Sequence, residues 1–283
     1  MLKRTITGGV YVAIIVAFFL LRKFVDYRFF DILIWFLCAV GTFELSRALI
    51  NKTGKIFYYV NSIYGILVVP LFFIVDNVAL GIKPYTVVLL IALALIFIYA
   101  IINAFQKEVY ITKFLWHSLA LIYPTVLLIM LMLISRAIIG NGEFFLILTF
   151  VISPCTDVMA YLVGMIYNKI KKGQAKKLCP KLSPKKTIAG AIGGLIGGVL
   201  GGVILYFIVN PSLNTSFPLL IIILLGIVTS VISQVGDLFE SFIKRSVGIK
   251  DMGKIMPGHG GVMDRIDGTL FTIPFFLIAS MVL

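Results

Sequence analysis

Apolar residues run along this chain in long, nearly unbroken blocks. Nine can be marked: Thr5–Leu21, Ile32–Phe43, Phe57–Val75, Tyr85–Phe105, Phe114–Ile134, Phe144–Tyr167, Ile188–Val209, Phe217–Ser233 and Thr269–Leu283. Most are long enough to cross about 30 Å of hydrocarbon as a helix, the second and last being the shortest. Lipid offers the backbone no hydrogen-bond partner, so such segments must be helical. The pattern predicts an all-α polytopic integral membrane protein with nine transmembrane helices. Composition agrees: 13 % of residues are charged, against about a quarter in soluble domains.

Charge gives the blocks an orientation. With nine helices, the N-terminus and the loops after every second helix share one side, and that side carries 20 Lys and Arg residues against 5 on the other. The positive-inside tendency then predicts a cytosolic N-terminus and a C-terminus outside. The net charge of +13 belongs to the cytoplasmic face, where it favours anionic lipid headgroups or phosphorylated solutes and argues against nucleic acid. Cys38, Cys155 and Cys179 have no disulfide or metal-type spacing. Lys3 and Arg4 precede the first block and Arg22 and Lys23 follow it, with no small-residue cleavage site. It reads as a retained anchor. The short N-terminal segment before it fits a bacterial plasma membrane.

The chain changes character near Glu143. Residues 1–143 form an N-terminal region of five spans with scattered charge. His117 in the fifth span reads as a packed histidine, and Glu44 and Arg47, just past the second, as a solvated helix end. Residues 144–283 hold four spans and two chemically loaded cytosolic loops, 168–187 and 234–268. Span six places Asp157 deep in SPCTDVMAYLVG. A carboxylate there is costly unless paired or wet. It is either functional or hydrogen-bonded to Tyr161 one turn on. The run NKIKKGQAKKLCPKLSPKK has eight lysines, and no acidic residue occurs between Asp157 and Asp237. Most of these lysines serve as a positive-inside anchor. The ending differs, because Ser183, Lys186 and Thr187 sit at the mouth of the next helix, where free N–H groups favour an anion. That helix repeats glycine every four residues in two rows, 190, 194, 198, 202 and 193, 197, 201, a pattern for close helix packing.

The most polar stretch precedes the last span. On a continuing helix, Asp237, Ser241 and Lys244 share one face, and Glu240 can pair with Lys244 four residues on. IKDMGKIMPGHGG follows, glycine-rich and basic, so its backbone can approach a ligand and donate N–H groups. Asp264 and Asp267 then open the last helix on a shared face. Either could be an N-cap. Together with Asp237 they make a trio of hard oxygen donors suited to Mg²⁺, which takes one or two carboxylates plus substrate phosphates. Zinc is disfavoured by the missing thiolate and histidine clusters.

The run SFIKRSVGIKDMGKIMPGHGGVMDRID resembles the signature of the phosphatidate cytidylyltransferases, or CDP-diacylglycerol synthases. Its fixed positions fall on Ser241, Lys244, Arg245, Lys250, Asp251, Gly253, Pro257, His259, Gly260, Gly261, Asp264, Arg265 and Asp267. Met256 departs, standing where Leu, Ile or Phe is usual. The resemblance extends upstream to Asp157, Tyr161, Ser183, Lys186, Thr187 and Gly236–Asp237, covering about residues 150–268.

The resemblance implies Mg²⁺-dependent transfer of CMP from CTP to phosphatidate, giving CDP-diacylglycerol and pyrophosphate. It also implies a monovalent cation such as K⁺ beside Mg²⁺, and a homodimer. The attacking phosphomonoester, with a second pKa of about 6, is already ionised at neutral pH. His259 is therefore expected to shape the loop more than to accept a proton. Asp237, Asp264 and Asp267 would hold metal, and Lys244, Arg245, Lys250 and Arg265 would clamp phosphates. Ser183, Lys186 and Thr187 would meet the nucleotide or lipid phosphate, while Asp157 orders the basic groups. Tyr161, Ser241 and Asp251 join the site by the same resemblance. Two rival readings are a CTP-dependent polyprenol kinase and an ion-coupled transporter using Asp157. A CDP-alcohol phosphotransferase pattern fails after Asp267-Gly268.

Overall fold

A computed structural model of the chain describes residues 2–78, 83–105, 111–136, 142–213, 218–256, 258 and 260–283. The chain is built of helices α1 (Leu2–Phe24), α2 (Arg28–Ala48), α3 (Ile50–Thr53), α4 (Lys55–Asn77), α5 (Pro84–Ala104), α6 (Ile111–Arg136) and α7 (Gly142–Ile170). Strands β1 (Lys177–Cys179) and β2 (Ser183–Thr187) follow, then α8 (Ile188–Leu213), α9 (Leu219–Ser246) and α10 (Met263–Val282). Among the described residues nine helices are long and apolar enough to cross a membrane, so the chain is a polytopic helical membrane protein. Only the four-residue α3 falls short. The second helix is 21 residues long, well beyond the apolar block Ile32–Phe43. Asp31 and Glu44 bound that block in the sequence, yet both side chains are buried, and polar groups sheltered by protein do not interrupt a helix.

The lysine-rich segment expected as a loop contains a two-stranded antiparallel hairpin, pairing Lys177 with Thr187 and Cys179 with Ser183. Its composition hides it. A run of exposed lysines shows no alternation of apolar and polar positions.

The described chain divides into two compact units, Met1–Met132 with Val247–Arg265, and Leu133–Ser246 with Ile266–Leu283. The first unit is filled by side-chain bulk. Phe57 of α4, Tyr99 of α5 and His117 of α6 pack edge-on and tilted against one another, with centroid separations of 4.1 Å for Phe57–Tyr99 and 4.1 Å for Tyr99–His117. His117 is thus a packed residue. Between α2 and α4, Trp35 Nε1 donates to Ile66 O at 2.8 Å.

The second unit is packed backbone to backbone. A Cβ on Gly193 would lie 2.5 Å from Val163, one on Gly197 2.4 Å from Met159, and one on Gly201 2.8 Å from Cys155 Sγ, so this glycine row faces α7. The other row meets α7 and α9, where a Cβ on Gly198 would collide with Ser230 and Thr156. Polar links add to the contact: Ser153 and Ser233 share a 2.8 Å hydrogen bond, and Thr156 Oγ1 donates to Ser230 Oγ at 3.0 Å. Interhelical hydroxyl bonds and small residues are what hold helices together where lipid gives no hydrophobic drive. The glycine pattern therefore serves packing within one chain.

Candidate functional site

One group of charged residues collects on β2, α9 and α10 of the second unit. On α9, Asp237 forms an ion pair with Lys186 of β2, each side chain about one quarter exposed at 26 % and 27 %. One turn further, Glu240 is fully buried and its Oε1 lies 3.6 Å from Lys244 Nζ. Asp267 of α10 is buried beside Asp237, Glu240 and Lys244. Its Oδ1 accepts the Gly268 N–H at 2.7 Å. Two glycines allow this crowding. A Cβ at Gly236 would stand 2.8 Å from Asp267 O, and one at Gly268 2.5 Å from Ser233 Oγ. Three carboxylates and two ammonium groups are thus held among stiffly packed helix ends. Like charges this close and this dry demand a counter-charge.

The other residues expected in this half are also placed. Ser241 is buried on α9, and Arg245 is exposed at its end, donating Nε–H to Leu182 O at 3.4 Å. Thr187 is buried, and its Oγ1 accepts the Gly190 N–H at 3.0 Å, the N-cap of α8. Ser183 is half-buried on β2. Asp157 and Tyr161 are both exposed on α7, one turn apart.

The first unit holds the signature loop. Lys250, Asp251, Lys254 and Arg265 are exposed along it, while Asp264 braces its stem: Asp264 Oδ2 accepts N–H groups from Met252 and Gly261, both at 2.8 Å. Met256 N–H donates to Gly260 O at 2.9 Å. Gly260 has φ 85°, a left-handed conformation open to glycine, and a Cβ there would meet Asp264 Oδ2 at 2.7 Å. Pro257 and His259 lie outside the described residues.

Among the described residues no group of three or more His, Cys, Asp or Glu side chains could hold a metal ion. The close neighbours are Asp237 and Asp267. A pair of hard carboxylate oxygens still fits Mg²⁺, which completes its octahedron with phosphates and water. Two functional candidates escaped the sequence. Glu240 reads as a plain i, i+4 partner of Lys244, and only its burial next to Asp267 marks it. Glu44 is no solvated helix end: it is 2 % exposed and Oε2 accepts the Met263 N–H at 3.0 Å. No sequence signal links residues 219 positions apart.

Comparison with known proteins supplies the lineage. The profile described as the cytidylyltransferase family matches residues 2–283. A phosphatidate cytidylyltransferase of Staphylococcus haemolyticus is 30 % identical over 139 residues, 49 % of this chain and 50 % of the relative. That of Staphylococcus aureus is 39 % identical over 141 residues, again 49 % and 50 %. That of Bacillus subtilis is 48 % identical over 64 residues, 22 % and 24 %. The chain spans about half the length, or less, of these curated relatives in the matches. Since the family profile runs along nearly all of it, the chain belongs to the cytidylyltransferase family.

Proposed function

We propose that this protein transfers CMP from CTP to phosphatidate, forming CDP-diacylglycerol and pyrophosphate. The observation that carries the reading is the buried Asp267 beside Asp237, flanked by Lys186 and Lys244, in a chain whose named relatives are phosphatidate cytidylyltransferases. A phosphate oxygen of phosphatidate attacks the α-phosphorus of CTP. As that P–O bond forms, the bond from the α-phosphorus to the bridging oxygen breaks and pyrophosphate leaves with the electron pair. No general base is needed for an ionised phosphate. The requirement is positive charge held where negative charge builds up.

Asp237 and Asp267 are the residues to hold Mg²⁺, which when bound neutralises charge on the α-phosphate and leaving group. By the family resemblance, a monovalent cation such as K⁺ would accompany it. Lys186 and Lys244, kept in place by carboxylates, face the phosphates together with Arg245, and the family resemblance gives Lys250 and Arg265 a phosphate-clamping role as well. Two unit charges 4 Å apart interact by about 4 kcal/mol at an effective dielectric near 20, so several such contacts offset the repulsion between two polyanions. Ser183 and Ser241 add hydroxyl donors. Thr187 acts through its cap on α8, and Asp264 through the loop stem. Asp157 and Tyr161, both exposed on α7, would meet the lipid headgroup.

In this reading the protein is a plasma-membrane homodimer with a cytosolic N-terminus, an external C-terminus and the site facing cytosolic CTP. The test uses sealed vesicles containing phosphatidate and the purified protein in known orientation. CTP does not cross the bilayer, so CDP-lipid is expected only where the N-terminus faces the added CTP, and only with Mg²⁺. Product formed in the opposite orientation alone would overturn the topology, and no CDP-lipid in either would overturn the activity.

A further inference from the structure

Glu44 lies at the cytosolic-loop end of α2 in the sequence, far from every signature residue, yet the signature loop is built around it. A Cβ on Gly253 would fall 1.9 Å from Glu44 Oε1, and the three atoms nearest a Cβ on Gly261 are Glu44 Oε2, Oε1 and Cδ at 2.4, 2.5 and 2.6 Å. Two glycines of the signature thus stand where they do because a carboxylate occupies the space their side chains would take. Oε2 accepts the N–H of Met263, the first residue of α10 and one of the amides a helix start leaves unpaired. A carboxylate there is favoured by the helix dipole as well. Oε1 is buried with no hydrogen-bond partner among the described residues. The Val262 N–H is a further backbone partner of the carboxylate, so the donors this buried group needs come from the end of the signature loop.

We propose that Glu44 is the positioning residue of the basic signature loop, clamping its two ends, 251–256 and 260–263, so that Lys250, Lys254 and Arg265 are presented in one fixed arrangement. The role rests on the CMP-transfer reading, but the clamp can be measured without it. Substrate does not touch Glu44; it acts through the loop.

The test combines hydrogen exchange and steady-state kinetics on the full-length protein in lipid. Glu44→Ala is expected to raise exchange at Met263 and Gly261 at least tenfold while exchange in α7–α9 stays unchanged. Misplaced cations still attract CTP but no longer meet the developing charge, so kcat falls about 100-fold while KM for CTP moves within about threefold. Glu44→Gln keeps an oxygen acceptor for Met263 and restores the protection. Gly261→Ala damages the wild type but adds little on the Glu44→Ala background, because the atoms it strikes are gone. A purely structural Glu44 would lower the yield of folded protein and leave kcat per folded molecule intact, and that result overturns the proposal. Unchanged exchange in Glu44→Ala, Gln behaving as Ala, or additive Gly261 and Glu44 effects also overturn it. If the wild type makes no CDP-lipid, the activity reading falls and the exchange arm still decides the clamp.

Discussion

The two units solve helix packing in opposite ways. In the first, aromatic rings such as Phe57, Tyr99 and the His117 imidazole fill the space between helices. In the second, glycines 193, 197, 198 and 201 remove side chains and bring backbones together. A ring-filled interface can repack around a changed side chain, whereas two backbones in contact have nothing to give. The charges Lys186, Asp237, Glu240, Lys244 and Asp267 are carried by the stiff unit. A site that must hold like charges close together needs supports that do not relax, and backbone contact provides them.

The comparison breaks first if the charges themselves do not matter. Asp267→Asn should lower kcat by about 10²–10³ with the protein still folded, read by CDP-lipid formation per folded molecule; a tenth or more of wild-type turnover would detach catalysis from the glycine-packed unit. Next in size is Lys186→Met, which leaves Asp237 without its partner. A loss of about 10- to 100-fold in kcat/KM is expected, the scale of one charge-assisted hydrogen bond. Its partial exposure puts the effect towards the lower end.

Packing substitutions sharpen the contrast with smaller effects. Gly197→Leu has no room beside Met159 and the Cys155 carbonyl, so thermal unfolding in detergent should show a loss of about 1–3 kcal/mol, and activity should fall with it. Phe57→Leu, in the ring-filled unit, should cost about 1 kcal/mol and leave kcat unchanged. Equal sensitivity of turnover to both would erase the distinction.

These differences also explain what could be read in advance. The nine long apolar helices among the described residues were legible because lipid forces long apolar blocks into helices whatever surrounds them. The glycine rows were legible because their four-residue step is local. Asp237, Lys244 and Asp267 stood out as charges beside apolar spans. The hairpin at 177–187 was not legible, since pairing of lysine-rich strands leaves no periodic trace. Glu44 was hidden for a different reason: beside Arg47 at a helix end it looks solvated, and its neighbours at 253, 261 and 263 come from the far end of the chain. The trio of aspartates was legible as residue types, but the loop-bracing contacts of Asp264 were not. Asp264 Oδ2 takes two loop amides, a use that spacing alone does not reveal.

CTP labelled with different isotopes at its α- and γ-phosphorus tests the central claim in one incubation with purified protein, Mg²⁺ and phosphatidate. The account predicts α-label in the lipid and γ-label in pyrophosphate, in equal amounts. γ-Label in the lipid with α-label remaining in soluble CDP would make the protein a kinase and contradict it.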